Sequence, residues 1–256
     1  MANIKIIGKK GSTAIRNIVE ETGIRRYKGN MFGKVEAIIN YGLSGEQLES
    51  FFKIYPSAKR LPTINKYVGK AKLSMIREAE RSGIKVPESR LTLPDKSDPK
   101  DWIEKKQNSI GGIGIKYASG KRKQIPGKYF QKFIKNRRYE IRVHAFSWMK
   151  DWSVQKRRGT HDKIAWNFHN GGIFSQVRTP KNYKIFSDAL EVSRKILSLG
   201  NMSFGAVDFI VDEDLNLYFI EINSAPGFQE LSKDTYIEAF NTLKNMKIEE
   251  IRRYTN

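Results

Sequence analysis

Two carboxylates and an amide share one stretch near the end of the chain, Asp208 and then Glu221-Ile222-Asn223-Ser224-Ala225-Pro226-Gly227. Residues 206–211 and 217–223 are β-rich in composition and flank a polar turn at 212–216, so the sequence predicts a β-hairpin. With the turn centred on Asp214 and Leu215, Asp208 stands directly opposite Glu221. Side-chain alternation puts Asn223 on the same face as Glu221. Like charges directly opposed destabilise a sheet. Phe209, Ile210, Phe219, Ile220 and Ile222 surround them, and burying two unneutralised carboxylates there costs on the order of several kcal/mol. Two carboxylates plus an amide oxygen make an all-oxygen site that suits Mg²⁺ or Mn²⁺, with the remaining positions left to water and phosphate. The competing reading is a solvent-facing polar strand balanced by lysines.

A second candidate is Gly111-Gly112-Ile113-Gly114. Glycines here let backbone N–H groups close on a phosphate. The segment is neither a Walker loop nor a GxGxxG opening a helix, and Gly-rich hairpin turns share its composition. Lys105 just before it and Lys72 upstream supply charge that phosphate would need.

The elements that position these groups follow from periodicity. Strands are expected at 4–7 and 35–41 and helices at 12–22 and 45–55, a small β-α-β-α unit ending near Pro62. Leu73, Ile76 and Ala79 mark an amphipathic helix over 69–82, stopped by Gly83. Further strands are expected from 91–93, at 102–105 running into 108–115, at 129–134 and at 139–148, with a basic loop over 119–128. A helix at 183–199 precedes the hairpin, the last clear element. Strands and helices intermix without a strict βαβ rhythm, which predicts an α+β fold.

Composition bounds the partners. The 256 residues contain no cysteine, which removes disulfides and thiol catalysis, and three histidines, which leave little for a histidine-based metal site. No run is long and apolar enough for a membrane span, and Lys9-Lys10 interrupts the only short apolar stretch at the N-terminus; a cytoplasmic protein with no membrane partner is expected. Formal net charge is +20, and residues 105–158 alone hold 16 basic and 2 acidic residues. Such a surface attracts polyanions: nucleotide, an acidic polypeptide, or nucleic acid with Trp148, Trp152 and Tyr139 available for stacking. The acidic substrate is the favoured reading, because more aromatics sit in strands than in exposed loops.

The order of segments from Lys72 to Pro226 resembles the ATP-grasp superfamily, most of all the RimK-type carboxylate–amine ligases. Lys72-Leu73 with Gly83-Ile84-Lys85-Val86-Pro87 resembles the family's lysine-bearing helix and turn, and Glu104-Lys105 with 109–115 its ATP lysine and glycine loop. Tyr129–Ile134 sits where the family has its adenine hinge, Glu140-Ile141-Arg142-Val143 matches a D/E-x-R-V that supplies a ribose-binding carboxylate, Arg157 matches an arginine near the reacting phosphate, and 167–172 resembles N-x-x-x-G-G. Asp208 with Glu221–Gly227 is close to the metal signature. There are departures: Lys132 replaces a usually acidic hinge residue, shifting adenine recognition to backbone groups of Phe133 and Ile134, and Ala165 replaces a frequent arginine, with Lys163 nearby.

The resemblance implies a short N-terminal α/β domain (1–68), a glycine-loop subdomain (69–132) and a C-terminal catalytic subdomain (133–256). It implies ATP bound by Lys72, Lys105, Gly111, Gly112, Gly114, Lys132, Phe133, Ile134, Glu140 and Asn167, with Mg²⁺ on Asp208, Glu221 and Asn223. Arg157 would stabilise the transferring phosphoryl group, and Arg142 would grip a substrate carboxylate or pair with Glu140. The implied reaction joins a carboxylate (small acid, peptide or acidic protein tail) to an amine, such as an amino acid, through an acylphosphate, releasing ADP and phosphate. A homodimer is compatible with it. The alternatives are a phosphotransferase on the same fold and a basic nucleic-acid-binding protein with a regulatory ATP site.

Overall fold

The computed structural model describes residues 2–29, 33–66, 68, 70–107, 114–120, 122–160, 163–166, 171–228 and 230–255. Three sheets follow one another along the chain. The first is parallel, β1 (Ile4–Gly8), β2 (Ala37–Tyr41) and β3 (Thr63–Ile64) in that spatial order, with α1 (Thr13–Thr22) and α2 (Glu46–Ile54) as its helices. The Ser12 side chain caps α1 by accepting from the Ile15 N–H, and Gly23 ends the helix at φ +70°, a left-handed position that glycine takes without strain.

After α3 (Lys72–Arg81), four antiparallel strands form the second sheet: β4 (Ser89–Arg90), β5 (Trp102–Lys106), β6 (Lys116–Tyr117) and β7 (Lys128–Lys132), in spatial order β4-β7-β5-β6. The strand expected from 91–93 lies two residues earlier, at β4. Residues 108–113, which the sequence would have made part of a strand, lie outside the described residues.

The third sheet is antiparallel: β8 (Arg137–Phe146), β9 (Ser153–Arg158), β10 (Ile173–Gln176), β11 (Phe204–Asp212) and β12 (Leu217–Asn223), in spatial order β10-β9-β8-β11-β12. Its two faces differ, as side-chain alternation requires. Ile141, Val143, Ala145, Val207, Phe209 and Val211 pack with α3 and with α4 (Lys184–Leu199) in one buried cluster. The opposite face carries Glu140, Arg142, His144, Arg157 and Asp208.

The hairpin is not the last element. A further helix, α5 (Glu230–Asn245), buries Tyr236, Ala239, Phe240 and Leu243 completely. They pack with Ile15 and Ile18 of α1, Ile4 and Ile6 of β1, and Phe146 and Phe204 of the third sheet, tying the first sheet to the third. Trp148 and Trp152 belong to these cores, each with its indole N–H on a backbone carbonyl, and Tyr139 is buried as well. They present no ring face to a nucleic acid base, and the stacking role expected of them is corrected accordingly.

Candidate active site

Register brings the chemistry together. Asp208 on β11 has Glu221 of β12 as its partner on one side and Arg142 of β8 on the other, while Glu140 of β8 faces Arg157 of β9. The expected opposition of Asp208 and Glu221 is therefore present. Between Asp208 and Phe209 the register slips by one, leaving Ile220 as the extra residue; such bulges re-aim side chains beside functional sites.

The charge problem of the hairpin is solved by cations from other elements. Arg142 grips Asp208 bidentately, Nε to Oδ1 at 2.7 Å and Nη2 to Oδ2 at 2.6 Å, and Arg157 Nη2 reaches Oδ1 at 2.9 Å. Lys72, at the first turn of α3, puts its Nζ 2.5 Å from Glu221 Oε2. The Asn223 amide lies 3.3 Å from both Asp208 Oδ2 and Glu221 Oε1, so all three expected metal ligands are mutually adjacent. Burial works against both carboxylates as anions. The Arg142 and Arg157 guanidinium groups nonetheless hold Asp208 down to about 2, and Lys72 lowers Glu221. Arg142 is raised in turn, burial being outweighed by Asp208. The pairing of Arg142 with Glu140 does not occur. Glu140 takes Arg137 at 2.9 Å and Arg157 at 3.5 Å, and burial raises its carboxyl against these arginines.

Lys105 enters from β5. It is buried, donates to Gln131 Oε1 at 3.1 Å and lies over the Tyr129 ring. Burial lowers its pKa, and Glu221, Glu140 and Asp208 pull the other way, which places it in the field of the same carboxylates. Five cations (Lys72, Lys105, Arg137, Arg142, Arg157) thus face three carboxylates. A surplus of positive charge in a low-dielectric site favours an anion. Three donors are left over there: Arg157 Nε, Arg137 Nε and the Tyr129 hydroxyl are buried without a hydrogen-bond partner. Arg157 is not the solvated surface charge that its Arg157-Arg158 doublet allows; only Arg158 is exposed.

At the expected hinge, the Lys132 and Phe133 N–H groups already donate to Glu88 O and Asp101 O, both at 2.8 Å. The Phe133 N–H is therefore not open to a base, and its carbonyl and Ile134 are what remains of that expectation. Gly114 has φ +80° and stands against the Lys106 side chain. Gly111, Gly112 and Asn167 lie outside the described residues. Among the described residues, no group of three or more His, Asp and Glu gathers as a metal cluster; the third polar group beside Asp208 and Glu221 is the Asn223 amide, its nitrogen turned toward them.

Sequence reasoning missed two supports. Arg137 is buried with its guanidinium 3.6 Å from the Trp166 ring centroid, donating to Glu140, Ile164 O and Lys163 O. Nothing in the sequence separates it from the exposed Arg138 beside it. Tyr41, at the end of β2, donates to Pro226 O at 2.6 Å, and a Cβ at Gly42 (φ +84°) would stand 2.3 Å from that of Ala225. The first sheet thereby braces the segment after Asn223. His144 is buried, with Nδ1 2.9 Å from the Tyr236 hydroxyl, and burial holds it down to about 3; it packs in its strand.

A family model described as an ATP-grasp domain matches residues 70–227. A D-alanine–D-alanine ligase of Dechloromonas aromatica (strain RCB) is 44% identical over 52 residues, 20% of this chain, and the match spans only 16% of that ligase. Three solved structures share the fold. The macrocyclase MdnC of Microcystis aeruginosa MRC, bound with precursor peptide MdnA, superposes with TM-score 0.59 at 13% identity, covering 96% of this chain and 100% of that one. A RiPP-associated ATP-grasp ligase of Chryseobacterium gregarium, in complex with ADP and a leader and core peptide, gives 0.60 at 15% identity over 97% and 98%. D-alanine–D-alanine ligase of Bacillus anthracis complexed with ATP gives 0.62 at 15% over 98% and 96%.

Proposed function

The chain belongs to the ATP-grasp family, and from that premise we propose that it is an ATP-dependent carboxylate–amine ligase acting on an acidic peptide or protein. The observation that supports this reading is the row Arg157, Arg142, Asp208, Glu221 and Lys72, in which buried carboxylates are held by cations that outnumber them. Adjacent oxygens of Asp208, Glu221 and Asn223 fit a magnesium ion, since half a turn of the Asn223 amide points its oxygen inward. Bound there, the ion would neutralise charge on the β- and γ-phosphates.

Lys72 and Lys105 hold the nucleotide phosphates, with the glycine loop (Gly111, Gly112, Gly114) and Asn167 completing the enclosure. Glu140 takes the ribose, and the 132–134 segment flanks the base. A carboxylate oxygen of the acceptor attacks the γ-phosphorus, the bond to the β,γ-bridging oxygen breaks, and ADP leaves. Arg157 holds the transferring group, and Arg142 orients the acceptor. The amine nitrogen, here an amino acid's, then attacks the acylphosphate carbonyl; phosphate departs, and the nitrogen loses its proton to solvent. The protein's part is positioning and charge stabilisation.

The test is ADP and phosphate release from Mg-ATP with pooled amino acids and a panel of acidic peptides, beside an Asp208→Asn control. Release that requires both pools and vanishes in the control supports the ligase. ADP with a stable phosphorylated product and no free phosphate would make it a phosphotransferase, and turnover surviving in the control would refute the metal-site assignment.

A further inference from the structure

The basic surplus of the chain is not confined to the reaction face. The first sheet carries a cavity of about 590 Å³ lined by described residues of β1, of 11–20, of 25–29 and of 33–35, none of which belongs to the candidate active site. That volume is within the ~300–1,000 Å³ of ligand sites. Five cations reach it: Lys5, Arg16, Arg25, Arg26 and Lys28, against one carboxylate, Glu20.

The cations differ in what they already do. Arg26 is spent on structure, donating to the carbonyls of Gly8 and Lys9. For Lys5, Arg16, Arg25 and Lys28, no carboxylate lies within ion-pair distance among the described residues, so the positive charge that they bring to one cavity is not neutralised there. Lys5 and Arg25 repel each other, and that repulsion adds to burial in lowering the Lys5 ammonium. An anion in the cavity would relieve this. Val19 and Val35 add an apolar lining.

We propose that this cavity is a docking site for an acidic peptide segment carrying carboxylates on either side of an apolar side chain. Four cations without an ion-pair partner among the described residues, grouped around an apolar lining, match that chemistry. A single phosphate would leave most of the volume unfilled, and Val19 and Val35 give an apolar side chain a seat that a phosphodiester backbone would not use. The site goes beyond the ligase reading: it gives an acidic partner a hold remote from the carboxylate that reacts.

The probe is a fluorescein-labelled peptide of about a dozen alternating glutamates and leucines, read by anisotropy on the full chain without nucleotide. A glutamine–leucine peptide and an oligothymidylate serve as competitors. The Arg16→Glu/Arg25→Glu pair is expected to weaken binding about tenfold or more. Lys53→Glu/Lys59→Glu, with the same charge change in the same unit but outside the cavity, should weaken it less than about twofold. Arg16 and Arg25 are exposed, and the Lys5→Gln/Lys28→Gln pair repeats the experiment should the first pair not fold. Equal losses in both pairs would make the binding a property of the overall field, and binding of the glutamine peptide at equal strength would remove the charge argument. Either result, no binding at low salt, or displacement by the oligonucleotide in preference to the acidic peptide would overturn the proposal. None of these outcomes bears on ATP turnover, so the docking site and the ligase fail separately.

Discussion

Replacing Asp208 by Asn should destabilise the nucleotide-free protein, quite apart from any effect on turnover. Asp208 is the shared counter-ion of two guanidinium groups, and the side chains of Asp208, Arg142 and Arg157 are 10%, 20% and 7% exposed. Removing one partner of a buried ion pair costs about 3–5 kcal/mol because it leaves charge uncompensated. Asn keeps one oxygen that still accepts from an arginine, so the lower end, about 3 kcal/mol, applies. For a chain of this size that is a fall in Tm of about 6–12 °C. Arg142→Met is the second corner of a double-mutant cycle, and in that background Asp208→Asn should cost less, by about 1 kcal/mol or more. The acid limb is a further check. The two guanidinium groups hold Asp208 near 2, below the 3.8 of a free aspartate. Its contribution, about 2 kcal/mol, is therefore complete above pH 4 and lost as pH falls towards 2. The variant should show a flatter stability profile over that range. Thermal and urea unfolding by circular dichroism measure all of this. A Tm within about 2 °C of wild type, or equal costs in both backgrounds, would refute the view that these arginines depend on Asp208.

Other consequences follow from neighbouring contacts. His144 is held neutral in the fold, down to about 3, while the unfolded chain protonates near 6.5, so stability should fall by about 2 kcal/mol between pH 7 and pH 5; His144→Phe should flatten that limb in urea titrations. A Cβ at Gly159 would stand 2.3 Å from Trp166 Cδ1, so Gly159→Ala should push Trp166 off Arg137, costing about 1–3 kcal/mol and shifting tryptophan fluorescence; an unchanged spectrum and Tm would count against that clamp. Gly42→Ala adds left-handed strain to its clash with Ala225 and should cost about 2–4 kcal/mol in unfolding. ATP and Mg²⁺ together should raise Tm far more than the sum of either alone, as differential scanning fluorimetry with and without EDTA would show.

The hairpin was legible because a short turn fixes register and a period of two fixes the face. Those two facts suffice to set Asp208 against Glu221. Arg142 was not assigned to its partner because sheet order is not written in local pattern: β8 and β11 are separated by β9, β10 and α4, and only their adjacency brings Arg142 to Asp208 rather than to Glu140. Strand β9 (Ser-Val-Gln-Lys-Arg-Arg) escaped for a related reason: Val154 is its one apolar side chain in the core, and the buried Ser153, Gln155 and Arg157 are polar, so it carries no hydrophobic alternation. Helix α5 is different, since Tyr236, Ala239, Phe240 and Leu243 repeat at helical spacing and were readable. The aromatics show the limit of composition as a guide. Trp148, Trp152 and Tyr139 sit in a basic stretch, yet their area belongs to the cores beneath α4 and α5.

The expected synergy between nucleotide and metal follows from charge exchange within the row. Without ligands, each carboxylate is neutralised by a cation that the proposed reaction needs elsewhere: Lys72 on Glu221, Arg142 and Arg157 on Asp208. Phosphates arriving alone would draw these cations off and leave two buried carboxylates bare. A divalent cation arriving alone would displace buried guanidinium groups that then have no counter-ion. Each event by itself leaves charge unpaired in a low dielectric, which costs several times what it would in water. If both arrived together, the carboxylates would pass to the metal, Lys72 and Arg157 to the phosphates and Arg142 to the acceptor carboxylate, and each of these charges would stay paired. The carboxylate–cation row thus disfavours either ligand alone, and that asymmetry is what calorimetry of ATP binding in the presence and absence of Mg²⁺ would register.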